Sequence, residues 1–157
     1  MMTHAQYLGP VGQYKEILLD LVDPPIHAGA PGPPEEYRRK RVDLSQLLMD
    51  NIDASFLWFA DGESMIDVGI HTDDLLVIDR SLEALNGDIV VAGMNGENTV
   101  KRLSVEKEKV MLLPENPAYK PIPVNPEEGI LIFGVVTLVI HPLRLSYELR
   151  RRFNRLQ

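Results

Sequence analysis

The stretch DIVVAGMNGENTVKRL, residues 88–103, contains two short apolar runs on either side of the pair Asn95-Gly96. Asn-Gly readily adopts the positive φ angles that a two-residue hairpin loop needs. The pattern therefore predicts two antiparallel strands, 88–93 and 98–103, joined by the turn MNGE. It also places a lysine, Lys101, on the second strand of this hairpin.

Similar runs rich in Val, Ile and Leu recur from residue 55 onward, separated by turn-forming residues such as Pro, Asn and Gly. Short runs of this composition are typical of strands. The predicted strands are Phe56–Ala60, Leu75–Asp79, Asp88–Ala92, Asn98–Leu103, Lys109–Leu113 and Ile130–Ile140. We therefore expect this part of the chain to be an all-β domain.

The N-terminal region has a different character. Residues 24–36, PPIHAGAPGPPEE, are too rich in Pro and Gly for a helix or an interior strand, which predicts a linker or an extended arm. A small apolar patch precedes this segment, formed by Ile17, Leu18, Leu19, Leu21 and Val22. Either an arm that docks on a larger surface or an ordinary N-terminal helix would account for it.

Two short helices are predicted. Asp43 is a suitable N-cap for LSQLLMDN, in which Leu44, Leu47 and Leu48 share one helical face. The C-terminal stretch LRLSYELRRRFNRLQ is basic, and its apolar residues recur at helical spacing: Leu145, Leu149, Phe153 and Leu156. We expect a helical tail that either packs on the domain or a dimer mate, or contacts an acidic partner.

The composition restricts the class of protein. The chain of 157 residues is 45% hydrophobic and 25% charged, which is ordinary for one globular domain with appendages. No apolar run approaches the roughly 20 residues that cross a bilayer, and no secretory signal is recognisable. We therefore expect a cytoplasmic protein that does not contact the membrane. A net charge of −7 argues against direct nucleic-acid binding, which needs a basic face.

The composition also restricts the chemistry. The absence of cysteine excludes disulfides, thiolate zinc sites and a cysteine nucleophile. No two of the histidines have the spacing of metal ligands on one helix or hairpin, so a metal site would have to be assembled from distant segments. These histidines are His4, His27, His71 and His141. We expect no metal and no cofactor.

One candidate for covalent chemistry is Ser64 in GESM, directly after the aromatic run FLWFA. The local signal is weak, because serine is common in turns and the second glycine of GxSxG is missing. A serine nucleophile also needs a base. Lys101 could serve, since it shares a strand face with Thr99 and Leu103, and burial there would lower its pKa. The alternative is a solvated lysine beside Arg102.

Four stretches, in this order, resemble the peptidase domain of the LexA and UmuD family: GESMIDVGIHTDDLLVIDRSLEALNGDIVVA, GENTVKRL, LLPENPAYKPIPV and FGVVTLVI. The resemblance covers residues 28 to about 141. It implies a mostly β, LexA-like (β-clip) peptidase domain that cleaves its own chain. In that family the serine of G-x-S-M is the nucleophile and the lysine of T-V-K-[KR]-L is the general base, which correspond to Ser64 and Lys101.

The resemblance also implies a cleavage site. Family members cut themselves between Ala or Cys and Gly ahead of this domain, which points to the bond between Ala28 and Gly29. The backbone N–H of Ser64 would contribute to the oxyanion hole. The chain would then consist of a cleavable N-terminal arm (1–28), a linker (29–40), a peptidase domain (41–142) and a basic tail (143–157).

The residues ahead of the predicted bond are too few for the winged helix-turn-helix of LexA. The arm instead resembles UmuD and its plasmid-borne relatives, which are accessory subunits of the translesion DNA polymerase V. This resemblance implies a role in SOS mutagenesis after DNA damage, a homodimer, a UmuC-type polymerase partner, and cleavage stimulated by a RecA–single-stranded DNA filament.

Three alternatives belong to other classes. The chain could be a dimeric polymerase adaptor without activity, or a LexA-like transcriptional regulator that lacks its DNA-binding domain. A signal-peptidase-like enzyme would share the Ser/Lys chemistry, but it should carry a membrane anchor.

Overall fold

The computed structural model describes residues 16–23, 38–144 and 148–157. These ranges contain two single 3₁₀ turns, at Ile52–Ala54 and Ile66–Val68. They also contain nine strands and two helices: β1 (Leu18–Asp23), β2 (Arg38–Asp43), α1 (Leu44–Leu48), β3 (Ser55–Phe59), β4 (Leu75–Asp79), β5 (Ile89–Met94), β6 (Glu97–Glu106), β7 (Lys109–Leu113), β8 (Ile122–Pro123), β9 (Leu131–Ile140) and α2 (Leu149–Asn154). The predicted mostly β fold is confirmed.

Seven of the strands form one antiparallel sheet in the order β3-β4-β9-β5-β6-β7-β8. All six strands that the sequence predicts are present in it, with ends that differ by a few residues. The predicted tight turn between β5 and β6 is also present, since Asn95 has a φ of 52° and Gly96 a φ of 80°. The sheet also contains β8, a strand of two residues that has no apolar run of its own.

The hydrophobic core is divided between the two faces of this sheet. Along β5, Val91 belongs to one buried cluster, whereas Val90 and Ala92 belong to another, as expected from the alternation of side chains in a strand. The last strand, β9, crosses close to β4, where a Cβ at Gly134 would lie 2.7 Å from Ile78 Cγ2. Glycine at this position therefore allows β9 to insert between β4 and β5.

The N-terminal segment forms a strand, so a helix over Leu18–Asp23 is ruled out. β1 pairs with β2 in a separate antiparallel sheet, with Leu18 opposite Asp43 and Asp23 opposite Arg38. The pairing satisfies those backbone polar groups of each segment that face the other strand. β2 begins within the range 29–40 predicted to be a linker. The predicted bond Ala28-Gly29 lies outside the described residues.

Both predicted helices are present and short. The Asp43 side chain accepts a hydrogen bond from the Ser45 N–H at 3.0 Å, which confirms it as the N-cap of α1. α2 packs on the outer end of β3, where the Phe153 and Phe59 ring centroids are 5.9 Å apart. Leu156 is exposed, and Leu145 lies outside the described residues. None of the helices in the described ranges is long and apolar enough to cross a membrane.

Candidate active site

Ser64 lies in the loop between β3 and β4, which we call the serine loop and define as residues 60–74. The two ends of this loop are joined by backbone hydrogen bonds, from the Asp73 N–H to the Ala60 carbonyl at 2.9 Å and from the Ala60 N–H to the Asp74 carbonyl at 2.8 Å. Further in, the Gly62 N–H donates to Thr72 Oγ1 at 3.0 Å. These bonds hold the segment before Ser64 against the segment before β4.

A second loop, residues 114–121, holds the serine loop from the other side. The Glu115 N–H donates to the Ser64 carbonyl at 2.8 Å, and Asn116 Nδ2 donates to the Glu63 carbonyl at 2.8 Å. The Glu115 carboxylate in turn forms an ion pair with Arg102 of β6. This loop lies within the stretch LLPENPAYKPIPV, whose resemblance to the family assigns no role to Glu115 or Asn116. Its contacts join residues far apart in the chain, and no local pattern indicates them.

Lys101 lies on β6 and is brought next to Ser64. Its Nζ is 2.7 Å from Ser64 Oγ, 3.0 Å from Thr99 Oγ1 and 2.9 Å from the Val100 carbonyl oxygen. Thr99 and Lys101 point to the same side of the strand, as the alternation of side chains predicts. The structure therefore brings together the two side chains that the sequence analysis singled out.

The surroundings of Lys101 favour its neutral form. The residue is only 7% exposed, and none of the ion pairs found among the described residues includes it. Burial away from water disfavours the ammonium ion, and this lowers the pKa of Lys101 from 10.5 to about 8. A substantial fraction of the lysine is then an uncharged amine at mildly alkaline pH, so the alternative of a solvated lysine is wrong.

The hydrogen-bond partners orient this neutral amine. A neutral amine has two N–H donors and one lone pair. The Val100 carbonyl can only accept, and the Thr99 hydroxyl can accept the second N–H. When the lysine is neutral, its lone pair then faces Ser64 Oγ, 2.7 Å away, and can accept the hydroxyl proton. This is the geometry in which an amine can remove the proton from a serine hydroxyl.

Ser64 and Lys101 lie in a cleft with a volume of about 550 Å³. Its other walls come from the tip of the β5–β6 hairpin, from the loop before β8 and from the start of β8, and they include Met94, Tyr119 and Ile122. An open cleft with an apolar wall is suited to an extended peptide. Among the described residues, the one group of side chains close enough together to hold a metal ion consists of His71, Asp74 and His141. None of these three residues lines the cleft.

The sequence is similar to those of several known proteins. Residues 20–137 match the model of the peptidase S24-like family. The chain is 44% identical over 117 residues to Protein SamA of Salmonella typhimurium, a match that covers 74% of this chain and 81% of that protein. It is 38% identical over 123 residues to Protein MucA of Escherichia coli, covering 76% and 84%. It is also 47% identical over 81 residues to the LexA repressor of Oleidesulfovibrio alaskensis, covering 52% and 39%.

Proposed function

This chain belongs to the peptidase S24-like family, as its motifs predicted, and from that premise we propose that it is a serine endopeptidase that cleaves itself between Ala28 and Gly29. Ser64 is the nucleophile and Lys101 is the general base. The observation that supports this most strongly is the 2.7 Å contact between Ser64 Oγ and a lysine Nζ whose pKa burial lowers to about 8. The predicted bond lies in the connection between the paired strands β1 and β2.

The proposed reaction has two steps. Neutral Lys101 accepts the Ser64 proton while Oγ attacks the Ala28 carbonyl carbon, and the Ser64 N–H stabilises the oxyanion. The Lys101 ammonium then protonates the nitrogen of Gly29, which leaves as a new N-terminus. Water attacks the ester that joins Ala28 to Ser64, with Lys101 again as the base, and this releases the arm and regenerates Ser64.

The relatives also support a proposal for the biological role. We propose that the chain is an accessory subunit of an error-prone translesion DNA polymerase in the SOS response, as its identity of 38–44% to SamA, ImpA and MucA suggests. After losing its arm, the protein would act as a homodimer that binds a UmuC-type polymerase subunit. A RecA–single-stranded DNA filament would stimulate the cleavage.

The experiment is mass spectrometry of the purified full-length chain during incubation at pH 8.5 to 9. We expect two new masses, for residues 1–28 and 29–157, to accumulate with a first-order time course. The Ser64→Ala variant should yield neither, whereas a matched Ser104→Ala variant, which removes a hydroxyl elsewhere on the sheet, should be cleaved like the native chain.

Other outcomes would contradict specific parts of the proposal. A chain whose mass never changes, even with an activating filament, would be the non-enzymatic adaptor considered above. A cut at another bond would contradict the assignment of Ala28-Gly29. The roles of Ser64 and Lys101 could still be tested by substituting these two residues.

A further inference from the structure

A second polar cluster lies on the far end of the serine loop, and neither the proposed peptidase reaction nor the comparisons account for it. His71 and Asp74 are the last part of the loop before β4, and His141 directly follows β9. β4 and β9 are antiparallel neighbours, with Leu75 opposite Ile140. This register places Asp74 beside His141, although the two residues are 67 positions apart in the chain.

The ligand atoms of the three side chains converge. His141 Nδ1 lies 2.5 Å from Asp74 Oδ1, and His71 Nδ1 lies 3.5 Å from Asp74 Oδ2. The centroids of the two imidazole rings are 5.1 Å apart, and the ring planes are tilted by 44°. One ligand atom from each of the three residues can be chosen so that all of them lie within 4.8 Å of one another.

The burial of the cluster is that of a site open on one side. The Asp74 side chain is 1% exposed and is fixed from behind, because its Oδ2 accepts the His71 backbone N–H at 2.7 Å. The side chains of His71 and His141 are 49% and 43% exposed. The Asp74 carboxylate is thus held in place at the buried end of the site, and the partly exposed imidazoles of His71 and His141 can change their orientation.

We propose that His71, Asp74 and His141 bind one divalent transition-metal ion of the zinc class. Two imidazole nitrogens and one carboxylate oxygen are a donor set that zinc commonly uses, with a water molecule as the fourth ligand. Mg²⁺ and Ca²⁺ prefer oxygen ligands, so the histidines select against them. The site lies outside the cleft of Ser64, and the proposal does not depend on the peptidase reaction.

The distances fit such an ion after a small adjustment. Ligands at about 2.0–2.1 Å from a tetrahedral zinc ion are roughly 3.3 Å from one another. The separation of 3.5 Å between His71 and Asp74 already matches this value. That distance is to Asp74 Oδ2, whereas His141 Nδ1 lies 2.5 Å from the other oxygen, Oδ1. His141 therefore has to move away by a little under 1 Å, which a half-exposed side chain can do by rotation.

A bound ion would connect the end of β9 to the serine loop. Residues adjacent to the ligands already hold this loop in place, since Thr72 Oγ1 accepts from the Gly62 N–H and Asp73 forms an ion pair with Arg150 of α2 at 2.6 Å. Any ligand that binds only the folded state stabilises that state. The metal should therefore raise the melting temperature of the protein.

Equilibrium dialysis of the metal-free full-length chain against Zn²⁺ tests the proposal. We expect one Zn²⁺ per chain in the native protein. Loss of a partner outside the ligand shell typically weakens metal binding about 10–100-fold, so His71→Ala and His141→Ala, which remove ligands, should weaken it by at least about 100-fold. The matched control is His4→Ala, which removes a histidine from another part of the chain and should bind like the native protein.

Two further measurements make the outcome decisive. Zn²⁺ should raise the melting temperature of the native chain and of His4→Ala but not of the two ligand variants, and Co²⁺ should give a visible absorption band only in the first two. The proposal is overturned if the native chain binds no Zn²⁺, or if neither His71→Ala nor His141→Ala weakens binding. Both ligand variants replace half-exposed side chains, so we expect them to fold, and circular dichroism is the measurement that checks this.

Discussion

The Ser64–Lys101 pair and the His71–Asp74–His141 cluster are both attached to the serine loop, and each contains one buried ionisable group. In the first the buried group is Lys101, a potential cation without a carboxylate partner in the described structure. In the second it is Asp74, a carboxylate that has an N–H donor behind it and two imidazoles in front of it.

The difference shows how burial can have opposite uses. A buried lysine without an opposite charge is destabilised as an ammonium ion, so its pKa falls and it becomes a base near neutral pH. A buried carboxylate whose oxygens have hydrogen-bond partners can serve as an anchor or a metal ligand. The first arrangement costs stability and permits chemistry, whereas the second adds stability and fixes the loop.

The largest expected effect is the loss of self-cleavage in Lys101→Ala. No other base lies within hydrogen-bond distance of Ser64 Oγ in the described structure, so the rate should fall below detection. Mass spectrometry after incubation at pH 9 measures it.

The matched control for this variant is Lys109→Ala, which removes an exposed lysine from the neighbouring strand β7 and should be cleaved at the native rate. If Lys101→Ala still released residues 1–28, the proposed role of the buried lysine would be wrong.

A second prediction concerns stability. Lys101→Met replaces the amine by an apolar side chain of similar length, and we expect it to raise the free energy of unfolding at pH 7 by about 3 kcal/mol at most, the equivalent of a pKa lowered from 10.5 to about 8. Below pH 8 the lysine is protonated in both states, so the folded state bears the full cost. Urea unfolding measures the difference.

The sign of the pH dependence is a further check on this variant. Between pH 8 and 10.5 the unfolded native chain binds more protons than the folded one, so the native stability rises with pH and the advantage of Lys101→Met shrinks. Asp74→Ala is the contrasting variant, because it removes a buried carboxylate that accepts hydrogen bonds, and it should destabilise the fold. Equal signs for the two variants would contradict the comparison.

The third prediction is the pH profile of self-cleavage without a filament. With a pKa of about 8 for Lys101, the neutral fraction rises about ninefold from pH 6 to 7, about tenfold from pH 7 to 9, and little above pH 9. The rate constant of cleavage should follow this curve in a protein that stays folded. A rate that falls between pH 7 and 9.5 would contradict a lysine base.

The smallest expected effect is that of removing the basic tail, residues 146–157. Arg150 and Phe153 of this tail contact Phe59 and Asp73 at the outer side of the serine loop, and neither lines the cleft. We expect the rate of cleavage at alkaline pH to change by no more than about twofold, since residues 148–157, the described part of this segment, touch neither member of the Ser64–Lys101 pair.

Binding should respond more than cleavage does. We expect the truncated chain to associate more weakly with the polymerase subunit or the filament, and the loss to be greater at low salt, because exposed charges are less screened there. A truncated chain that is folded, yet fails to cleave itself, would show that the tail supports the serine loop.

Much of the fold could be predicted because its signals are local. The alternation of apolar residues, the pair Asn95-Gly96 and the N-cap Asp43 each determine a piece of structure within a few residues of themselves. The strand β1 was not recognised, because its apolar run has no alternation and its partner β2 begins inside a charged segment. β8 was not recognised either, because its two residues form a strand only through pairing with β7.

For the candidate site, the sequence by itself determined the identities of Ser64 and Lys101, through two short motifs, and the alternation that places Thr99 beside the lysine. Only the tertiary structure decided that Lys101 is buried with no counter-charge among the residues described, and that Asp74 and His141 meet. The insertion of β9 between β4 and β5 creates the second contact. Both features arise from contacts between residues that are far apart in the chain, and the spacing of residues along a sequence does not specify which distant segments will pack together or how much water they exclude.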